Sequence, residues 1–193
     1  MTPLRIALTT LAALSISGAS AKEEWKTETL RGETGLTISI PVAAVNKVDA
    51  KDSDNLMFFS VGAGLNGDLV CMAHRTVYPK GVTRAAFAAA LATERREAFC
   101  QHDSKTVSGV NIGGSESFER NGSQGAICTA SFTDSAAKSP GQVQSQLIIA
   151  APGKAYFLTC IVEDEDQDMA EFGWSSFWAE KVRHMQDSFR VPE

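Results

Sequence analysis

Apolar residues along most of the chain recur at intervals of two or in short continuous runs, and both patterns are typical of β-strands. This pattern predicts strands over residues 36–40, 56–61, 68–77, 107–112, 115–120, 125–133, 143–151 and 155–162. The last segment is apolar almost throughout, which indicates a strand that is covered on both faces. Residues 22–35 and 46–55 are polar, and we expect them to lack strands.

Turn-forming residues separate these segments. Pro41 has no N–H group to donate and ends the first predicted strand. Asn121-Gly122 is typical of a type I′ hairpin turn, in which both central residues need a positive φ. Gly113-Gly114 and Pro152-Gly153 predict two further turns. Such short turns indicate a mainly antiparallel sheet.

Two segments have the composition and periodicity of helices. Residues 85–98 are rich in alanine, Thr83 can cap the first turn, and this helix is expected to end near Cys100. A second helix is expected from about Met169 to Asp187. It carries an apolar stripe formed by Trp174, Phe177, Trp178, Val182, Met185 and Phe189. Such an aromatic stripe is usually core, and the alternative is the wall of a cavity for an apolar ligand.

These elements predict an α+β fold, in which helices pack on a mainly antiparallel sheet of about seven strands as an αβα sandwich. The chain has no internal repeat and no linker, so residues 22–193 are predicted to form a single domain. With 44% hydrophobic residues, the composition is that of an ordinary globular protein.

Residues 1–21 have the pattern of a secretory signal peptide. Arg5 is their only charged residue, a short apolar run follows it, and Ala19-Ser20-Ala21 ends the segment with small residues. Cleavage after Ala21 would release a periplasmic or secreted chain that starts at Lys22. No later apolar run reaches the roughly 20 residues that a membrane span needs, so the mature chain is expected to have none.

The four cysteines agree with export, because an even number in an oxidising compartment indicates disulfide bonds. They are Cys71, Cys100, Cys128 and Cys160. Three pairings are possible, and the sequence does not choose among them. The chain has no CxxC motif, so neither a thioredoxin-like redox site nor a zinc site is predicted.

The order of elements resembles that of the PsbP-like fold, which includes the secreted bacterial DcrB-like proteins. The resemblance rests on the strand that ends in proline (36–41), the helix over 82–100, the glycine pair at 113–114, the late strand 155–160 and the tail 185–191. It covers most of residues 35–191 and implies the fold. The family is functionally mixed, so the resemblance implies no catalytic residues and no cofactor.

No motif in the sequence assembles a catalytic site. GxSxG, Walker A and dinucleotide-binding glycine motifs are all absent from the sequence. His74, His102 and His184 fall on different predicted elements and share no local pattern with a nucleophile or a metal ligand. The net charge of −5 and the lack of a basic run argue against a nucleic-acid partner.

Two weaker patterns leave alternatives open. Asp164, Asp166 and Asp168 have the spacing of a calcium loop, but Met169 and Ser175 stand where glycine and glutamate are required. The three acids can instead stabilise the start of the following helix. Asn121-Gly122-Ser123 also fits the N-glycosylation pattern, and the sequence does not decide whether it is used.

The sequence therefore favours an exported, non-enzymatic accessory or binding protein with a protein or cell-envelope partner, for example an inhibitor-type protein. One alternative is a small envelope hydrolase that uses scattered residues such as His74 or His102. Another is a carrier of an apolar ligand that uses Trp174, Phe177 and Trp178.

Overall fold

The computed structural model describes residues 23–46, 54–62, 68–100, 110–132, 142–163 and 176–192. The strands are β1 (Trp25–Thr29), β2 (Thr37–Pro41), β3 (Val45–Asn46), β4 (Asn55–Gly62), β5 (Asp68–Val77), β6 (Val110–Arg120), β7 (Ser123–Phe132), β8 (Gln142–Ala151) and β9 (Lys154–Glu163). The helices are α1 (Arg84–Leu91), α2 (Glu97–Cys100) and α3 (Ser176–Ser188), with a 3₁₀ turn over Glu94–Arg96.

Seven of these strands form one sheet in the order β3–β4–β5–β9–β8–β7–β6, and each neighbouring pair is antiparallel. β1 and β2 form a separate hairpin. The expected mainly antiparallel sheet of about seven strands is confirmed.

The two faces of the sheet are covered by different elements because side chains alternate along each strand. On one face, α3 and the β1–β2 hairpin bury a large cluster that includes Leu158 and Trp178. On the other face, Phe87 and Leu91 of α1 pack against Ile148 and its neighbours. We name these the α3 face and the α1 face. Helices on both faces make the predicted αβα sandwich.

The apolar stripe of α3 explains how that helix docks. Its buried residues Trp178, Val182 and Met185, followed by Phe189, recur at intervals of four, three and four, which places them on one side of the helix. Trp178 and Met185 are both 0% exposed. Burying one such large side chain contributes about 2–3 kcal/mol, so this stripe fixes α3 on the sheet.

Most predicted boundaries are within two residues of the observed strands. The Asn121-Gly122 turn has φ values of 50° and 70°, which confirms the type I′ turn. Gly113-Gly114 does not form a turn, and that prediction was wrong. β6 continues through both glycines, and the ladder to β7 shifts register between Ile112 and Gly114. A β-bulge takes the place of the expected turn.

Two other expectations need correction. Residues 25–29 form β1, although their sequence is polar, because they pair with β2 at the edge of the α3 face. The helix predicted over 85–98 is broken. Thr93 is extended, with φ −112° and ψ 178°, so α1 ends before it and the 3₁₀ turn begins after it. Thr83 does cap α1, because its side chain accepts from the N–H of Ala86 at 3.1 Å.

The structure joins Cys71 on β5 to Cys160 on β9 in a disulfide bond. These residues are directly opposite in the ladder, their Cα atoms are 4.1 Å apart, and both are 0% exposed. Cys128 is also disulfide-bonded. Cys100 is the remaining cysteine of the chain and ends α2, which packs against the strand that carries Cys128.

We predict that peptide mapping of the non-reduced protein recovers two linked peptides, Cys71–Cys160 and Cys100–Cys128. Because Cys71 and Cys160 are buried, a mild reductant without denaturant should leave their bond intact. Alkylation followed by mass spectrometry measures both results. A link from Cys71 to any cysteine other than Cys160 would contradict the pairing.

Candidate functional site

Four connections of the described chain lie together at one end of the seven-stranded sheet. Antiparallel pairing brings three of them there, because Val77 and Ala151 both face Lys154 and Arg120 faces Ser123. The fourth, the β1–β2 loop, is joined to the start of β4 by the N–H of Arg31, which donates to the carbonyl of Leu56 at 3.4 Å. We call this region the turn end. It consists of the β1–β2 loop (31–35), the β5–α1 segment (78–83), the β6–β7 turn (121–122) and the β8–β9 turn (152–153), together with the adjoining strand ends and the start of α1.

Hydrogen bonds hold the β5–α1 segment against the neighbouring turns. The backbone N–H of Tyr78 donates to Gly153 at 3.2 Å, and its hydroxyl donates to the carbonyl of Ala151 at 2.9 Å. At the other end, Arg84 donates to the carbonyl of Gly122 at 3.2 Å and to the hydroxyl of Ser123 at 3.0 Å. The segment is therefore anchored at both of its ends.

Between these anchors the chain makes a tight turn that presents a lysine. The N–H of Val82 donates to the carbonyl of Pro79 at 2.9 Å, and Gly81 has a φ of 89°. Only glycine adopts that conformation readily, as a type II turn requires. Lys80 lies at the tip of the turn and is exposed.

A buried carboxylate fastens the β1–β2 loop to the same end of the sheet. Glu33 is 8% exposed and accepts hydrogen bonds from Lys154 at 2.8 and 3.0 Å. The hydroxyl of Tyr156 donates to it at 2.8 Å, and Arg75 forms an ion pair with it. We name these four residues the Glu33 cluster. Lys154 and Tyr156 lie near the start of β9, and Arg75 lies near the end of β5. The cluster therefore joins the β1–β2 loop to two strands of the sheet.

The cluster holds Glu33 in its ionised form. Burial by itself would raise the pKa of Glu33, but hydrogen bonds from Lys154, Arg75 and Tyr156 outweigh it and lower the pKa from 4.5 to about 2. Lys154 and Arg75 each donate a hydrogen bond to Glu33, and that bond raises the pKa of each cation. Burial, together with the hydrogen bond to Glu33, raises the pKa of Tyr156. Every member keeps one protonation state near neutral pH, which suits a structural contact.

The turn end is cationic although the chain as a whole has a net charge of −5. Its cationic side chains are those of Arg31, Arg75, Lys80, Arg84, Arg120 and Lys154. Its carboxylates are those of Glu33, Asp54, Glu119 and, at the end of α3, Asp187. Three of the carboxylates pair with cations of this same region. Glu33 pairs with Arg75 and Lys154, Asp54 contacts Arg75 at 3.6 Å, and Asp187 contacts Arg120 at 3.1 Å.

Two aliphatic side chains project from the same region. Val77 is 68% exposed and Val82 is 38% exposed. They flank the turn that carries Lys80, so apolar and cationic groups share one short segment. The combination of exposed aliphatic side chains with an exposed lysine makes this segment a candidate contact surface.

A concave region lies on the α3 face. A cleft of about 300 Å³ opens between α3 and strands β6 to β8. Ile127 and Val182 form its apolar part, and the buried amide of Gln186 donates to Ser145 at 2.8 Å. Glu116 and Arg183 stand at its exposed rim.

The described histidines do not converge. His74 lies on the α1 face, where its ring stacks on Phe157 with centroids 4.7 Å apart and planes 2° apart. His184 lies on α3, with its ring 3.9 Å from that of Trp25. His102 lies outside the described residues. Within the described ranges, no three of His, Cys, Asp and Glu are grouped to hold a metal ion.

Some of the other candidate residues from the sequence lie in the described ranges, and the rest lie outside them. Trp178 is fully buried in the core, as expected of the aromatic stripe. Trp174 and the side chain of Phe177 lie outside the described part, as do Asp164, Asp166 and Asp168. Asn121 is exposed in its turn. No helix among the described residues is long and apolar enough to cross a membrane.

Sequence reasoning missed the Glu33 cluster. Its other members lie 42 to 123 positions after Glu33 along the chain, so no local pattern connects them to it. The local sequence shows only an acid between two glycines, Gly32 and Gly35, which is typical of a loop. In the structure these glycines have φ values of 69° and 84° and shape that loop. A loop was correctly expected at residues 31–35. The hydrogen bonds and the ion pair of Glu33, however, depend on β5 and β9, which come much later in the chain.

Comparison with known proteins shows the fold. No family model matches the chain, and no curated protein matches it. Cyanobacterial PsbP (CyanoP) from Synechocystis sp. PCC 6803 is similar in structure, with a TM-score of 0.53 and 11% identity over 94% of this chain and 100% of that chain. LpqN of Mycobacterium tuberculosis, which is involved in cell envelope biogenesis, has a TM-score of 0.54 and 12% identity over 89% and 92%.

A protein of unknown function, PA94 from Pseudomonas aeruginosa, also matches, with a TM-score of 0.48 and 12% identity over 82% of this chain and 98% of that chain. The likeness to CyanoP and LpqN confirms the expected PsbP-like α+β fold. At these identities it shows the fold alone.

We predict that Glu33→Gln lowers the free energy of unfolding by about 3 kcal/mol at pH 7, because a neutral amide leaves Lys154 without its counter-charge and leaves Arg75 with only the longer contact to Asp54. The folded-state pKa of Glu33 is below its unfolded value, so its stabilisation is complete above about pH 4.5 and disappears as the pH falls towards 2. Urea unfolding of both proteins across pH 2–7 measures this.

Glu28→Gln is a matched control, because Glu28 pairs with Lys26 at 3.1 Å on the partly exposed hairpin. That surface pair should contribute less than about 1 kcal/mol. An unchanged stability of Glu33→Gln at pH 7 would contradict the structural role of the cluster.

Proposed function

We propose that this chain is an exported, non-enzymatic binding protein that contacts a component of the cell envelope through its turn end. The observation that carries the proposal is the surface of the β5–α1 segment. It presents exposed Lys80 and exposed Val82, exposed Val77 directly precedes it, and hydrogen bonds from Tyr78 and Arg84 anchor its two ends. A rigid surface loses little conformational entropy when it binds a partner.

The signal-peptide pattern of residues 1–21 supports export, and the disulfide between Cys71 and Cys160 suits an oxidising compartment. LpqN has the same fold and is involved in envelope biogenesis, which makes an envelope role a reasonable proposal for this chain. The wide separation of His74 and His184, on opposite faces of the sheet, supports binding over catalysis.

A second candidate contact is the cleft beside α3. Its apolar floor and charged rim fit a side chain of a partner protein, with a basic group placed near Glu116. The cleft is less favoured than the turn end because its buried polar groups, Gln186 and Ser145, already bond to each other.

We predict that the protein recovered from its source cells starts at Lys22 and lies outside the cytoplasm. Cleavage after Ala21 would remove the apolar segment together with Arg5. Intact-mass measurement and cell fractionation test this. A full-length chain in the cytoplasmic fraction would contradict export.

The contact itself can be located with a photo-reactive amino acid placed at single positions. Val77 and Lys80 report on the turn end, and Thr129 and Arg183 report on the α3 cleft. Val45, which is 55% exposed on β3, serves as a control far from both. After irradiation with the source organism's envelope fraction, we expect adducts at Val77 and Lys80 and none at Val45.

Adducts at Thr129 and Arg183 alone would favour the cleft and reject the turn end. Equal labelling at all positions, or labelling at Val45 alone, would show that the turn end is not a specific contact surface.

A further inference from the structure

We infer that the partner of the turn end is the surface of an anionic lipid bilayer, on which the tip of the β5–α1 segment inserts shallowly. This inference rests on the proposed binding role of the turn end and names its partner. The juxtaposition that carries it is a pair of exposed valines, Val77 and Val82, on either side of exposed Lys80 at one end of an acidic protein.

The charge distribution favours an anionic surface. The protein has 23 Asp and Glu against 18 Lys and Arg, so a negative surface repels most of it. At the turn end the balance is reversed, because six cationic side chains stand against four carboxylates there, one of which is the buried Glu33. Such an asymmetry orients the protein as it approaches, with the turn end leading.

The geometry of the cations fits a flat partner. Lys80 is exposed at the tip of its turn, and Arg31 is exposed in the adjacent β1–β2 loop. Arg84 and Lys154 add positive charge behind them, although each already donates hydrogen bonds within the protein. Lys80 and Arg31 come from separate elements at one end of the sheet, so one extended surface can meet both.

The valines distinguish a bilayer from a soluble polyanion. Val77 and Val82 expose aliphatic surface at the same end, on either side of Lys80. A polysaccharide or polyphosphate would contact the cations but would gain little from aliphatic groups. At a bilayer, the valines can enter the boundary between headgroups and acyl chains while the cations contact phosphates.

The start of α1 adds to this attraction. Its first turn carries no acidic side chain, and Thr83 caps it from the side of the segment. The positive end of the helix dipole therefore points to the same surface as Lys80 and Arg84. The hydrogen bonds of Tyr78 and Arg84 keep the segment in place, so docking needs no ordering step.

The test measures co-sedimentation of the mature chain with vesicles of phosphatidylglycerol and phosphatidylcholine, and with vesicles of phosphatidylcholine alone. We expect binding to the anionic vesicles, which weakens as salt is raised, and at least tenfold weaker binding to the neutral ones. Lys80→Glu should weaken binding about tenfold, because it replaces an attractive charge by a repulsive one. The double variant Val77→Ser, Val82→Ser should weaken it about fivefold.

Two controls match these changes at other surfaces. Arg95→Glu reverses an exposed charge on the 3₁₀ turn, and Val45→Ser removes an exposed valine on β3. Both should bind anionic vesicles like the unchanged protein. Thermal melting of every variant confirms that the fold is kept, which is expected because all of the altered side chains are exposed.

The inference is overturned if neutral vesicles bind as well as anionic ones, or if the controls lose as much binding as Lys80→Glu. It is also overturned if soluble polyphosphate binds as tightly as the vesicles and the valine variant binds it unchanged. If vesicles do not bind while Val77 and Lys80 still form a protein adduct, the bilayer is rejected and the proposed binding role stands. If neither experiment gives a signal, both fail.

Discussion

The carboxylate of Glu33 is the interaction on which the arrangement of this protein depends most. It sits in the β1–β2 loop and accepts hydrogen bonds from Lys154 and Tyr156, which lie more than 120 positions later in the chain. Its ion pair with Arg75 adds β5 to the same contact. A buried charge that lost these partners would be strongly unfavourable. The hairpin is thereby held over the middle strands β5 and β9 of the sheet, beside α3.

The same contact shapes the surface that we propose as functional. The charge of buried Glu33 offsets part of that of Lys154 and Arg75, and cations still outnumber carboxylates across the turn end. The antiparallel order of the strands then places three further connections beside it. Tyr78 and Arg84 bond those connections to one another.

Much of the fold follows from local sequence, and the candidate site does not. Residues 68–77 and 155–162 were recognisable as strands because their apolar pattern reflects burial in the middle of the sheet. Asn121-Gly122 was recognisable because few other pairs accept two positive φ values. Gly113-Gly114 misled because glycine suits a bulge as well as a turn. β1 was missed because its polar residues are only half-buried and depend on pairing with β2. The turn end could not be foreseen, since its cations come together only through strand order.

Residue-by-residue mapping of the lipid contact tests the central claim most directly. The uniformly ¹⁵N-labelled mature protein would be titrated with phosphatidylglycerol-containing bicelles while backbone amide resonances are followed. The account predicts that the largest shifts cluster at Val77, Lys80, Gly81 and Gly153, with little change along α3. Shifts centred on the cleft lined by Ile127 and Val182, or no shifts at any lipid concentration, would contradict it.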